Sequence, residues 1–290
     1  MKKETVSEAV KWGIHTLKSA GFEEDVRLET ELILAHLMKW TRIQIYTRSE
    51  DPLSCEQQEQ FRFFVEERKK HVPLAYLLGY REFYGLSFHV TPEVLIPRPE
   101  TEILVEEAIR LGAQLSGSTN RLLDLGTGSG CIALSLLKYL PEYTGDLVDI
   151  SEKAIAIARQ NADTLELTSR VQFFHGDLFE MLPSRSYSLI LSNPPYIAPE
   201  VLPFLQAEVR LFEPYTALFS PDHGFSCLKK ILISAISFLE SPGALLLEMG
   251  QGQWNELLPF ARQCGYDEVR ILKDLAGVER VLICEQKRRS

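Results

Sequence analysis

From residue 121 onward the chain alternates short apolar runs with amphipathic stretches, and this alternation constrains its fold more than any other feature. Strands are predicted near 121–125, 144–149, 171–174, 187–191 and 243–248, with helices between them and two further strand candidates at 267–272 and 278–284. Such an order predicts an α/β fold with a parallel sheet covered on both faces, because parallel neighbours need a long crossover that packs back onto the sheet. The ligand crevice of that sheet lies at the carboxyl ends of its strands. The residues with chemical potential in this chain fall at those ends.

After the strand Tyr187–Ser192 comes Asn193-Pro194-Pro195-Tyr196. Two consecutive prolines fix φ near −65° and donate no N–H, so the local carbonyls are left as outward acceptors. Asn193 adds a side-chain acceptor and Tyr196 a flat apolar face, a combination suited to gripping both hydrogens of a planar NH2 group. Read alone, the tetrapeptide fits a Pro-Pro loop stop equally well.

The first strand runs into Gly126-Thr127-Gly128-Ser129-Gly130 and a helix start. Glycines there let the backbone approach a ligand closely, and the helix presents free N–H groups to a carboxylate. A dinucleotide fingerprint would need glycine at position 131, which is Cys131. G-x-G-x-G preceded by Asp124 resembles instead the first motif of Rossmann-like methyltransferases that bind S-adenosylmethionine. Asp149 ends the next strand, 25 positions after Asp124, where a carboxylate can accept from both ribose hydroxyls. Asp177, followed by Leu178, ends the third strand where an adenine amino group would lie. Each acid alone reads as a loop or cap residue; three in order at successive strand ends are harder to explain that way.

Residues 1–70 read as helices. Val6, Val10, Ile14 and Leu17 share one face before Gly21, Leu28, Leu32, Ala35 and Met38 mark a second helix, and Ser54 with Gln57 has capping-box form ahead of Phe61, Phe64 and Val65. Phe83–Val90 alternates with period two around Gly85 and predicts a hairpin. The expected organisation is therefore a helical domain at 1–75, a linker with a β-hairpin at 76–95, and a catalytic domain at 96–290. Five scattered cysteines form no C-x-x-C pair, which argues against a zinc site or a disulfide framework. No metal site is expected. No apolar run approaches the roughly 20 residues of a membrane span. The opening Met1-Lys-Lys-Glu-Thr leads into a mixed polar helix and not an apolar signal core, so a cytoplasmic protein is expected.

The net charge is −9, with 12 Lys and Arg against 13 Asp and Glu in residues 1–70 and 19 against 27 in the remainder. An acidic catalytic part is a poor footprint for gripping a phosphate backbone.

Taken together, these segments resemble the HemK-type glutamine methyltransferases that modify peptide-chain release factors. The resemblance rests on Pro73–Gly79, Phe83-Tyr-Gly85, Ile96-Pro-Arg-Pro-Glu-Thr-Glu102, Gly126–Gly130, Val148–Ser151, Asn193–Tyr196, Glu208-Val-Arg210, Glu213-Pro214, Leu246-Leu-Glu248 and Asp274–Arg280. It implies a class I S-adenosylmethionine-dependent fold, a helical substrate-docking domain, and methylation of the glutamine amide in the Gly-Gly-Gln loop of release factors. Cofactor contacts carry over to Gly126–Gly130, Asp149, Leu178 and Asn193, beside the strand-end Asp177 read above, and the substrate grip to Asn193, Pro194, Pro195 and Tyr196. Family members often carry an aromatic where this chain has Leu178, so aliphatic packing on adenine is expected instead. Three rival readings remain: an adenine-N6 nucleic-acid methyltransferase, disfavoured by charge; a nicotinamide dehydrogenase, disfavoured by Cys131; and a non-catalytic module, which would have lost the acids or the Asn-Pro-Pro-Tyr motif.

Overall fold

The computed structural model describes residues 4–115 and 119–288; Met1, Lys2 and Lys3 of the opening segment lie outside them. The chain divides into two compact units: one runs up to Gly79 and includes Gln206–Phe212, the other comprises Tyr80–Leu205 and the chain from Glu213 onward.

In the first unit the helices Val6–Ser19, Val26–Met38 and Cys55–Lys69 enclose a core of Leu17, Ile33, Leu34, Phe61 and Val65. Thr5 starts the first helix as a capping box, its backbone N–H reaching Glu8 at 2.9 Å while its hydroxyl accepts from the Glu8 N–H at 3.3 Å. Ser54 and Gln57 do the same for the third. The second helix buries a different face from the one predicted: Thr30, Glu31, Ile33 and Leu34 point inward with Ala35, while Leu28, Leu32 and Met38 are only partly covered. A helix packed between two others buries more than one stripe, and Gly13 of the first helix lets Thr30 approach where a Cβ would stand 2.6 Å from its methyl group. Buried Arg68 holds the unit together through Glu29, at 2.9 Å from both Nε and Nη2, and through Glu208 of the later segment at 2.5 Å.

The second unit opens with the antiparallel hairpin β1 (Tyr80–Phe83) and β2 (Leu86–His89), turned by Tyr84 and Gly85, both at positive φ. Phe83 and Phe88 are buried in this unit's core. The structural division thus differs from the sequence-based one: the hairpin belongs to the second unit because its inward phenylalanines pack there, and Gln206–Phe212 joins the helical unit through Glu208.

The main sheet contains β3 (Arg121–Leu125), β4 (Thr144–Asp149), β5 (Val171–His175), β6 (Tyr187–Ser192), β7 (Leu239–Glu248), β8 (Glu268–Lys273) and β9 (Glu279–Gln286) in the order β5-β4-β3-β6-β7-β9-β8. Neighbours from β5 to β7 are parallel, but β9 runs antiparallel to both β7 and β8, because only Asp274–Val278 separates β8 from β9 and so short a turn allows only an antiparallel return. Residues along each strand alternate between two apolar cores. Leu122, Leu189 and Leu246 face one, with the helices Glu102–Gln114 and Cys131–Tyr139; Leu123, Ile190 and Leu245 face the other, with Ser226–Ala235 and Trp254–Gln263. Strand order reverses between β3 and β6, which opens the crevice at their carboxyl ends. No helix among the described residues is long and apolar enough to cross a membrane.

Candidate active site

The glycine loop leaves β3 at this switch point. Gly126, Gly128 and Gly130 have φ of +68°, +56° and +81°, and a Cβ on Gly126 or Gly128 would meet nothing within 4 Å. These two glycines are therefore needed for backbone conformation and for what approaches the loop, whereas at Gly130 a side chain would crowd Leu134 at 2.9 Å. Thr127 turns inward: its N–H donates to the Val148 carbonyl at 2.9 Å and its hydroxyl to Asp124 at 2.7 Å. Asp124 is fully buried, and desolvation pushes its pKa up to about 7 against the Thr127 hydrogen bond. It supports the loop from below and does not reach the crevice.

Asp149, at the end of β4, accepts from the Gly128 N–H at 2.8 Å and the Ser151 N–H at 2.9 Å, one bond to each oxygen. Burial raises its pKa, and the two N–H groups act in opposition. A carboxylate offers about four lone-pair sites, so acceptor capacity remains for a ligand. Asp177 and Leu178 follow β5, Leu178 at a φ of +48° that is unusual for a branched side chain.

Beyond β6 the Asn193 Nδ2 donates to the Thr101 hydroxyl at 3.2 Å. Among the described residues neither Asn193 Oδ1 nor the Pro194 carbonyl accepts a hydrogen bond, so both acceptors of the expected grip are available. Tyr196 differs from expectation. Its hydroxyl donates to Glu248 at 3.2 Å and its carbonyl accepts from Gln253 at 3.0 Å. The ring packs against the core that holds Leu123, Ile190 and Leu245, and is no wall of the cavity.

That cavity, about 320 Å³, is lined by Gly126, Thr127, Gly128, Ser129, Asp149, Asp177, Leu178, Asn193, Pro194 and Pro195, with Gly130 and Tyr196 outside the lining. The structure thus brings together all but two of the sequence-predicted site residues. Residues not singled out for the site complete the walls: Arg98 and Thr101 from the start of the first catalytic-domain helix, and Pro214, Thr216 and Phe219 opposite. Arg98 pairs with buried Glu213 at 2.6 Å, which joins two of the motif segments. Thr101 and Glu248 could have been found only from their place in the motifs, since each is an ordinary polar residue in an apolar context.

The lining suits a cationic adenosyl group. It offers Asp149 with unused lone pairs, Asp177, two glycines open to close approach, and aliphatic Leu178, while its one arginine is already neutralised by Glu213. The nearby thiols are inert at neutral pH, burial pushing Cys131 up to about 12 and Cys227 up to about 11. Among the described residues no cluster of histidine, cysteine or acidic side chains could hold a metal.

Two family models match, the PrmC N-terminal domain over residues 8–79 and the methyltransferase small domain over residues 101–211. The release factor glutamine methyltransferase of Rhodopirellula baltica is 39% identical over 282 residues, covering 96% of this chain and 95% of that protein. Its counterpart from Geobacter sulfurreducens is 39% identical over 278 residues, again covering 96% and 95%. Among solved structures, the hMettl16 catalytic domain in complex with the MAT2A 3'UTR hairpin 6 superposes with a TM-score of 0.58 at 18% identity, covering 73% of this chain and 79% of that one, a likeness of fold. By sequence over nearly its whole length, the chain belongs to the release factor glutamine methyltransferase family.

Proposed function

We propose that this protein transfers a methyl group from S-adenosylmethionine to the side-chain amide nitrogen of the glutamine in the Gly-Gly-Gln loop of peptide-chain release factors, in the cytoplasm. The observation that carries the reading is the Asn193 amide, anchored by its nitrogen on Thr101 with its oxygen unengaged beside the free Pro194 carbonyl, in a cavity shared with the glycine loop.

The cofactor would be held by Gly126–Ser129, Asp149, Asp177 and Leu178, and would supply an electrophilic methyl on a sulfonium. A glutamine amide nitrogen is a poor nucleophile because its lone pair is delocalised into the carbonyl. Asn193 Oδ1 and the Pro194 carbonyl accept its two hydrogens, which fixes the direction of the lone pair and lets positioning supply most of the rate. Prior ionisation is unnecessary, and after transfer the surplus proton passes to water. Pro195 stiffens the loop that holds both acceptors. Tyr196 acts from below, through Glu248, and not as a stacking face.

The same two acceptors would suit an exocyclic amine of adenine, but the acidic balance of residues 71–290 favours a protein acceptor over a polyanion. The test is methyl transfer from labelled S-adenosylmethionine to intact release factor and to duplex and single-stranded DNA, with the modified peptide identified by mass spectrometry. Label on the Gly-Gly-Gln glutamine is expected; label on DNA alone would overturn the reading.

A further inference from the structure

We infer that Gln253 is a positioning residue for the Asn-Pro-Pro-Tyr loop: its side-chain amide ties the Tyr196 carbonyl to the Gly250 N–H and so fixes where the Asn193 and Pro194 acceptors stand. The inference rests on the function proposed above and deepens it.

Gln253 occupies the N-cap position of the helix Trp254–Gln263, where a short Ser, Thr, Asp or Asn side chain ordinarily turns back onto the first N–H groups. Its side chain makes no such bond. It reaches away from the helix instead, Oε1 accepting from the Gly250 N–H at 2.8 Å and Nε2 donating to the Tyr196 carbonyl at 3.0 Å, 57 positions distant in sequence. Both partners are backbone groups of fixed character, one a donor and one an acceptor, so the amide can sit only one way round. Two glycines leave room for the bridge. A Cβ on Gly224, at a φ of +92°, would stand 2.1 Å from the Tyr196 oxygen and 2.9 Å from Gln253 Nε2, and one on Gly250 would stand 3.1 Å from Gln253 Oε1.

Between the end of β6 at Ser192 and the anchored Tyr196 lie Asn193, Pro194 and Pro195. This stretch is stiff. Each proline fixes its own φ, and Asn193 and Pro194 both precede a proline, which confines them to extended backbone. A stiff segment clamped at both ends has little freedom between them, so holding the Tyr196 carbonyl sets the direction of the Pro194 carbonyl and the reach of the Asn193 side chain. Loosened at the Tyr196 end, it could pivot about Ser192 and carry both acceptors off the substrate amide. The chain beyond is clamped too, Ile197 donating to the Leu218 carbonyl at 2.9 Å and accepting from the Ser220 N–H at 3.0 Å. Glu248 steadies the Tyr196 side chain through its hydroxyl, and Gln253 is the side chain that holds its backbone.

Gln253 is half-buried and stands outside the lining of the cavity, so changes there need not touch either ligand. Gln253→Glu keeps the shape and the acceptor for Gly250 but sets a carboxylate against the Tyr196 carbonyl, whereas Gln253→Met keeps the volume and loses both bonds. A shift of about 1 Å can cost on the order of a hundredfold, so kcat should fall about tenfold or more in both variants. S-adenosylmethionine affinity by calorimetry should change by less than about twofold, as expected when only the transition-state alignment of the acceptor is lost. A role confined to the Gly250 turn predicts instead that Gln253→Glu is silent and Gln253→Met is not. Full turnover of either folded variant would overturn the inference, as would a loss of cofactor affinity as deep as the loss of turnover. The wild type is assayed first on release factor, Gly-Gly-Gln peptide and DNA, and the variants on whichever acceptor it methylates. Absence of activity on release factor would thus sink the substrate reading while the bridge is still judged on its own terms.

Discussion

Arg98 Nη2 lies 2.6 Å from Glu213 Oε1, across 115 residues of sequence, and the same carboxylate accepts from the Ile96 N–H at 3.4 Å. Glu213 is 2% exposed at its side chain and Arg98 31%. Arg98→Ala would strand a buried carboxylate, and should cost about 2–4 kcal/mol, below the full range for a buried pair because the arginine is partly solvated. Glu213→Gln should cost less, since it removes the charge as well as the pairing. Urea denaturation of the two variants checks the order; equal losses would show that the pairing itself matters little.

Asp149→Ala removes the acceptor that holds Gly128 and Ser151 as well as the one expected for ribose. Charge-assisted bonds worth about 1.5–3 kcal/mol each predict at least a tenfold loss of cofactor affinity. Calorimetry on the folded variant decides, and unchanged affinity would remove Asp149 from the site.

Asn193→Ala should lower turnover on the order of a hundredfold while sparing cofactor affinity, because a misplaced acceptor nitrogen loses its aim. Asn193→Asp keeps the shape but loses the donor to Thr101 and adds a charge near Glu248, so it should be no better. Near-full turnover with both ligands bound normally would refute the amide grip.

Asp124 supplies a pH signature. Its pKa rises from an ordinary 3.8 to about 7 on folding, so the folded chain holds this proton more tightly than the unfolded chain. The contribution is complete below about pH 4 and is lost as pH climbs through 7, amounting to at most on the order of 4 kcal/mol. Asp124→Asn retains an acceptor for Thr127 and lacks the titration. The variant should therefore gain on the wild type between pH 5 and 8 in parallel denaturation curves, and a constant gap would contradict the assignment.

The sheet and its crevice were legible because strand periodicity and strand-end glycines are local signals. Each motif of the cavity was visible for the same reason. The placement of Tyr196 was not, because its orientation depends on Glu248, 52 positions away, and on Gln253. The pairing of Arg98 with Glu213 was not legible either, because the two lie 115 positions apart and meet only after folding. The antiparallel β9 and the second face of Val26–Met38 were also set by tertiary packing, which overrides periodicity.

The helical unit is nearly charge-balanced and lines none of the described cavity, so its proposed role is to dock the release factor. A chain beginning at Tyr80 keeps the hairpin phenylalanines in their core. It should bind S-adenosylmethionine yet lose activity on whole release factor far more than on a short Gly-Gly-Gln peptide. Equal losses on both substrates would mean that the helices support the catalytic fold instead of choosing the partner.

The membership of Gln206–Phe212 in the helical unit has a consequence for biosynthesis. Glu208 follows Arg68 by 140 positions. As the chain leaves the ribosome, the N-terminal helices can collapse early on local contacts, with Glu29 as the first counter-ion of Arg68. Their final closure waits until the glycine loop and the Asn-Pro-Pro-Tyr motif have been translated. Completion of this unit is therefore a high-contact-order, late event, tied to the emergence of the catalytic half, and it belongs among the slower steps of folding.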